Sequence, residues 1–256
     1  MPRYFLEVAY NGTNYSGFQI QQNANSIQQE VENAFTVLQK EKIELTGSSR
    51  TDAGVPAFQN FFLFDFDGTI DSRLVYKMNA ILPGDISVAR LMHMNSTAHC
   101  RFGATSREYK YFIYRHKDPF LRERAYYFPY KLNIQLMQEA ADIIRSYNDF
   151  TSFSKRKTQV KSFICEIQES KWDWEADCLV YYVRANRFLR GMVRALVATM
   201  LQVGREKMTI DQFKEVIEQK NSTGARFGAP PHGLFLIAVN YPPDYFPATN
   251  FFRENP

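Results

Sequence analysis

Short apolar runs and alternating stretches along the chain mark strands, and apolar residues recurring at three and four positions mark helices between them. Alternation or continuous apolar character over Tyr4 to Tyr10, Ala57 to Phe66 and Ile86 to His93 predicts three strands, and Lys42-Ile43-Glu44-Leu45-Thr46 alternates as a half-buried strand does. Ile27, Val31, Ala34, Phe35 and Leu38 form one face of a helix over 26–39, with Asn25 or Ser26 as N-cap, and another helix is predicted over 71–80. Near Thr105 the rhythm starts again. A strand over 107–115 leads through a proline-bearing loop to a helix over 133–146, whose stripe is Ile134, Met137, Ala140, Ala141 and Ile144. Strands over 161–173 and 177–186 follow, then helices over 188–203 and 209–219, and a strand from Leu234 to Asn240 before a proline-rich, aromatic tail. Helices between strands joined by short turns argue for an α+β fold with a mixed sheet covered mainly on one face. The pattern divides the chain into halves at 1–104 and 105–248, with 249–256 as a tail.

Candidate chemistry concentrates in one loop. Gly47-Ser48-Ser49 is turn chemistry, so Asp52, in Ser49-Arg50-Thr51-Asp52-Ala53-Gly54-Val55, is expected in a loop leaving a strand end. A nearby arginine favours the charged form of a carboxylate, and an aimed carboxylate can attack carbon or act as a base. A turn carrying a surface ion pair accounts for the same spacing, since Asp, Gly and Ser belong in turns.

Charge adds a possible partner. The net charge of +4 is modest for 256 residues. The basic residues are nonetheless uneven, with Lys155-Arg156-Lys157 and Lys161 in one group and Arg184, Arg187, Arg190 and Arg194 in another. Such clusters bind a polyanion through counterion release or form a solvated cationic face. The 22 Phe and 15 Tyr supply packing groups and possible stacking platforms for bases. Cys100, Cys165 and Cys178 are odd in number and widely spaced, which suggests neither a disulfide framework nor a zinc site. The chain enters a strand at once without a leader-like run, and no stretch reaches the ~18 apolar residues of a membrane span. A cytoplasmic protein that does not engage a membrane is expected.

The Thr51-Asp52-Ala53-Gly54-Val55 segment resembles the signature of the bacterial tRNA pseudouridine synthase A (TruA) family. The likeness continues through Tyr10-Asn11-Gly12-Thr13, Gly17-Phe18-Gln19, Ser26-Ile27-Gln28 and Leu82-Pro83-Gly84-Asp85-Ile86. Further on it includes Arg101-Phe102, Arg107-Glu108-Tyr109-Lys110-Tyr111, Asn148 to Phe153, Met192-Val193-Arg194 and His232-Gly233-Leu234, in the family's order. The resemblance implies two similar α/β halves sharing one sheet across a central RNA-binding cleft. It also implies isomerisation of uridine to pseudouridine at positions 38–40 in the anticodon arm of tRNA, by a homodimer. No cofactor or metal is required, because substrate and product are isomers.

Carried over by position, Asp52 is the family's catalytic aspartate, and Arg50 helps to fill the gap left by a flipped base. Tyr109 packs on that base, Arg194 pairs with the aspartate, and Leu234 lines the base pocket. Arg187, Arg190, Lys155 and Arg156 are candidate phosphate contacts, with Arg187, Arg190 and Arg194 at helical spacing near a helix start. Without the resemblance, Tyr109 and its in-phase neighbour Tyr111 read as sheet packing, Leu234 as core, and the arginines as a solvated stripe. The sequence departs from the family at Ser49 (commonly glycine), Pro56 (histidine), Phe18 (tryptophan) and Arg190-Gly191 (a histidine pair), which bears on how RNA is gripped.

Two rival readings remain open on sequence. Phe64-Asp65-Phe66-Asp67-Gly68-Thr69 resembles the nucleophile motif of Mg²⁺-dependent haloacid dehalogenase phosphohydrolases, with Asp65 as nucleophile and Asp67 as acid and base. That fold needs a doubly wound parallel sheet and a downstream acidic pair, and no such pair follows residue 85. The second rival is a non-catalytic RNA-binding protein, against which the intact Asp52, Tyr109 and Arg194 speak.

Overall fold

The computed structural model describes residues 1–155, 160–247 and 251–253. Two compact units emerge, one from residues 1–105 together with 236–256, the other from 106–235. Each is an α+β unit built on a mixed, mainly antiparallel sheet.

In the first unit the chain forms β1 (Arg3–Tyr10), α1 (Ile27–Gln39), β2 (Thr46–Gly47), β3 (Ala57–Asp65), α2 (Leu74–Ile81) and β4 (Ile86–Met94). β1 lies between β3 and β4, antiparallel to both. Helix α1 begins where the Ser26 hydroxyl accepts from the Gln29 N–H, and it stops at Lys40 in the left-handed region. Its buried Ile27, Val31, Ala34 and Phe35 are the stripe expected from the spacing. α2 begins later than its pattern suggested, because Asp71 accepts from the Arg73 N–H and holds that stretch as a turn.

The alternation over 42–46 predicted a strand that does not form. The backbone of Leu45 is taken instead by α1: its N–H donates to Glu32 Oε1 at 3.0 Å, and its carbonyl accepts from Gln28 Nε2 at 2.8 Å. Only Thr46 and Gly47 remain to pair with Leu63 and Phe62.

The second unit holds β5 (Ser106–Tyr114), β6 (Tyr126–Tyr127), α3 (Ile134–Ile143), β7 (Ile167–Glu175), β8 (Cys178–Ala185), α4 (Met192–Gly204) and α5 (Ile210–Glu218). β8 runs antiparallel to both β5 and β7, and β6 adds a short parallel pair to β5. The strand expected from 161 starts only at Ile167, since Phe163 and Cys165 bond to Phe150 and Asn148. α3, α4 and α5 pack on one another, and α3 also packs on β7. A capping box at Thr209 and Gln212 starts α5. α4 is buried on nearly every side, as its continuous apolar run demands.

β9 (Leu234–Asn240) carries the chain back into the first unit, where the Leu236 N–H donates to Pro56 O beside β3, and β10 (Phe251–Arg253) pairs with β4. The first unit's sheet therefore reads β10-β4-β1-β3-β9. Its β3 is buried on both faces. Phe64 packs against Phe35 of α1 at 5.2 Å, while Phe61 meets Tyr241 at 5.3 Å and Phe246 at 5.8 Å. The aromatic segment after β9 thus covers the face that the helices leave open. No helix among the described residues is long and apolar enough to cross a membrane.

The fold also disposes of the phosphohydrolase motif. Asp65 ends β3 opposite Arg3 of antiparallel β1, and both its oxygens are held by Arg3 Nε and Nη2 at 2.8 Å. Among the described residues, no three His, Cys, Asp or Glu gather as a metal-holding group. The Arg3 hydrogen bond, against some desolvation, keeps the Asp65 carboxyl below the usual range. A lowered carboxyl contributes stability that is full above its unfolded value near ~3.9 and is lost as pH falls through its folded value. Asp65→Asn should therefore destabilise the protein at pH 7 by under about 1 kcal/mol, as for a solvent-screened pair, with the gap closing at acid pH. Urea midpoints of both proteins across pH 3–7 check this; a gap independent of pH would refute it.

Candidate functional site

The Asp52 loop is held by main-chain bonds and by the Thr51 hydroxyl. The Tyr10 hydroxyl bonds Thr51 Oγ1 at 2.9 Å, and Asn60 Nδ2 donates to both Tyr10 Oη and the Ser49 carbonyl, at 3.1 and 2.8 Å. The Phe18 N–H donates to Thr51 O at 3.2 Å, the Gly54 N–H to Tyr15 O, and the Val55 N–H closes a turn onto Asp52 O. Asn60 is fully buried in an otherwise apolar stretch of β3, so its amide makes the loop's anchor rather than a surface contact.

Two glycines let the opposing segment close on this loop. A Cβ on Gly12 would lie 2.3 Å from the Val55 carbonyl oxygen, and one on Gly17, at φ +120°, would lie 3.1 Å from Thr51 O. The backbone of 12–17 therefore fits against 51–55 only with glycine at these two places. With its main chain fixed from both sides, the loop presents a half-buried Asp52.

Three of the departures from the family pattern are buried here. Phe18 is 1% exposed and stacks on Phe62 at 4.4 Å, with Gly47 tight against its ring. Ser49 and Pro56 are also buried. Phe18, Ser49 and Pro56 thus bear on the Asp52 loop through packing.

Arg50 is exposed, and its charge is disfavoured first by desolvation and then by Arg101. The Arg101 guanidinium lies 5.7 Å from the ring centre of Phe102, an aromatic 77% exposed. Two guanidiniums and an open ring form a surface suited to phosphate and stacked bases. The Arg101-Phe102 pair carried the family likeness, but a role for it was not read from sequence; the signal available was a large aromatic beside arginine in a turn.

In the second unit, Tyr109 and Tyr111 share one face of β5, as alternation required. Tyr109 is 8% exposed and meets the Phe188 ring edge-on at 5.1 Å. Tyr111 is fully buried, donates to Pro230 O at 2.9 Å, and has its hydroxyl pKa pushed up by burial. Arg194, half-buried in the first turn of α4, donates from Nε to Ala229 O at 2.7 Å. Tyr111 and Arg194 thus hold consecutive carbonyls of the segment that leads into Leu234, itself buried at the start of β9. A Cβ on Gly233 would come within 2.9 Å of the Tyr111 ring, so this segment also closes onto β5. Burial, partly countered by a hydrogen bond with the Ala125 backbone, lowers the pKa of His232 beside it.

The arginine stripe is not helical. Gly191, at φ +74°, is the N-cap of α4, which begins at Met192, so Arg187 and Arg190 lie in the connection before it and only Arg194 is on the helix. Arg187 is half-buried and Arg190 exposed, whereas Arg184 is paired with Glu169 at 2.5 Å. The Lys155 N–H donates to Arg190 O at 3.0 Å, bringing the two basic groups together. Arg156 and Lys157 lie outside the described residues. The three cysteines are buried and none is in a disulfide, and burial pushes the Cys165 thiol up to about 11, which keeps it protonated near neutral pH.

A family model described as tRNA pseudouridine synthase matches residues 147–242. A tRNA pseudouridine synthase A of Parabacteroides distasonis is 45% identical over 96% of the chain and 99% of its own length. Proteins of the same name from Bacteroides thetaiotaomicron and Bacillus subtilis are 44% and 39% identical, over 96% and 91% of this chain and 93% and 97% of theirs.

Proposed function

The chain belongs to the tRNA pseudouridine synthase A family, and from that premise we propose that it converts uridines of the tRNA anticodon arm, at positions 38–40, to pseudouridine, with Asp52 as the catalytic group. The observation that carries the assignment of Asp52 is its loop: a carboxylate in a segment held at Thr51 Oγ1 by Tyr10, at Ser49 O by Asn60, and by the close approach of Gly12 and Gly17. Such fixation is what a group aimed at a reacting centre requires.

The reaction breaks the bond between ribose and a ring nitrogen, turns the freed uracil, and forms a bond from the same sugar carbon to a ring carbon. The proton displaced from that carbon is balanced by the one gained on the released nitrogen, so no redox partner or transferred group enters. A base must leave its stack for this chemistry. Arg50 fills the vacated place, and Tyr109 and Leu234 hold the extruded base. Arg194 pairs with Asp52, while Arg187, Arg190, Lys155 and Arg156 contact phosphates. The working form is a cytoplasmic homodimer that engages one tRNA.

The test is to incubate the purified protein with unmodified tRNA transcripts in excess chelator and map pseudouridine by carbodiimide-dependent primer-extension stops. Stops at the anticodon-arm uridines are expected. Their absence would overturn the reading, and stops only elsewhere in the tRNA would overturn the assignment of the arm.

A further inference from the structure

A cleft of about 260 Å³ in the second unit is lined by Ser154, Lys155, Ser222 and Phe227. Building on the tRNA reading above, we propose that this cleft is a pocket for one nucleotide of the RNA, its base against Phe227 and its phosphate against Lys155. The volume is below the roughly 300 Å³ at which drug-sized ligand sites begin, which leaves room for a base and part of its sugar, with the rest of the nucleotide at the open mouth. Among the described residues its walls carry one aromatic ring, one ammonium and two hydroxyls, which are the types that stack a base, neutralise a phosphate and bond to a sugar.

Lys155 is placed there by the backbone at Gly191. A Cβ on Gly191 would lie 3.1 Å from Lys155 Cγ and Cε and 3.3 Å from Cδ, so the lysine stem crosses the space that a side chain at 191 would occupy. Gly191 is required a second time by its φ of +74°. The bond from the Lys155 N–H to Arg190 O fixes the root of the stem, and the Ser154 hydroxyl donates to Lys155 O at 3.3 Å. The absence of a side chain at Gly191 thus leaves room for a lysine from another segment.

Three variants test this: Lys155→Ala, Phe227→Ala and Gly191→His, with the double variant Lys155→Ala/Gly191→His. The readouts are the dissociation constant for unmodified tRNA across salt concentrations and the rate of pseudouridine formation. Lys155→Ala should weaken binding and reduce the slope of log affinity against log salt by about one. Phe227→Ala should weaken binding roughly 5- to 150-fold with the slope unchanged, the loss expected for one stacked base. Gly191→His should reproduce the binding loss of Lys155→Ala, and the double variant should be no worse than Lys155→Ala, because both remove the same ammonium from the cleft. Wild-type affinity and slope in Lys155→Ala, or full additivity in the double variant, would overturn the pocket. Should Gly191→His fail to fold, Lys155→Ala and Phe227→Ala still decide. A wild-type protein that forms pseudouridine while the variants bind normally refutes the pocket alone; one that forms none refutes the functional reading instead.

Discussion

Replacing Asp52 with alanine is expected to lower pseudouridine formation by more than about a thousandfold, the scale of removing a group that acts directly on the reacting atoms. The same variant should bind tRNA within a few-fold of the wild type. The basis for separating the two effects is the loop's construction. Tyr10, Asn60 and Phe18 hold Thr51 and Ser49 through the hydroxyl of Thr51 and through main-chain carbonyls, so deleting a carboxylate from the next residue leaves the scaffold in place. Transcripts labelled with tritium on the uracil carbon that forms the new bond report the reaction as released label, and filter binding reports affinity. Retained isomerisation in Asp52→Ala would remove that residue from the chemistry; loss of binding alongside activity would make its role structural.

A comparable loss should follow from one methyl group added at a distance from the carboxylate. In Gly12→Ala the new Cβ would sit 2.3 Å from Val55 O, 2.6 Å from Val55 C and 2.9 Å from Val55 N, all backbone atoms that no rotamer change can move aside. The 12–14 turn or the 51–55 loop must shift, at about 1–3 kcal/mol for an overpacked site. In a chain of this size that lowers the melting temperature by roughly 2–12 °C. Activity should fall further than stability, about a hundredfold, because a displacement near 1 Å misaims Asp52. Gly84→Ala is the control, since a Cβ there meets nothing within 4 Å. Thermal melts and initial rates of the two variants check the expectation, and equal behaviour of Gly12→Ala and Gly84→Ala would refute the steric argument.

What was legible in the sequence follows from which interactions are local. The stripe of α1 was readable and its cap narrowed to Asn25 or Ser26, of which the structure uses Ser26, because helix periodicity and capping are set within a few residues. β9 matched its pattern from Leu234 to Asn240 because an apolar run bounded by Gly233 and two prolines has one reading. The missing strand at 42–45 was not readable, because the groups that capture Leu45 are Gln28 and Glu32, whose positions depend on how α1 docks. The break at Gly191 hid among arginines spaced as on a helix, and only the left-handed backbone there separates Arg187 and Arg190 from α4. Likewise, Asn60 was a polar residue in an apolar strand, a visible anomaly whose partners, Tyr10 and Ser49, come from separate segments. Asp52 itself was recognisable as a motif, while the clamps around it needed the tertiary structure.

The return of β9 to β3 also shapes how the protein must be made. Ala57 and Leu236 pair although they stand about 180 residues apart, a closure whose entropic cost grows only slowly with length but which cannot occur before the later residue exists. During synthesis at roughly 5–20 residues per second, the first 105 residues wait many seconds while the whole second unit is translated. Throughout that interval β3 lacks β9 along its edge, and Phe61 lacks the Tyr241 and Phe246 rings that later cover it. An uncovered strand carrying Phe61-Phe62-Leu63-Phe64 is an aggregation-prone segment. The nascent chain is thus most vulnerable to misassembly just before residues 236–246 emerge, and those residues act as the lock that ends the danger.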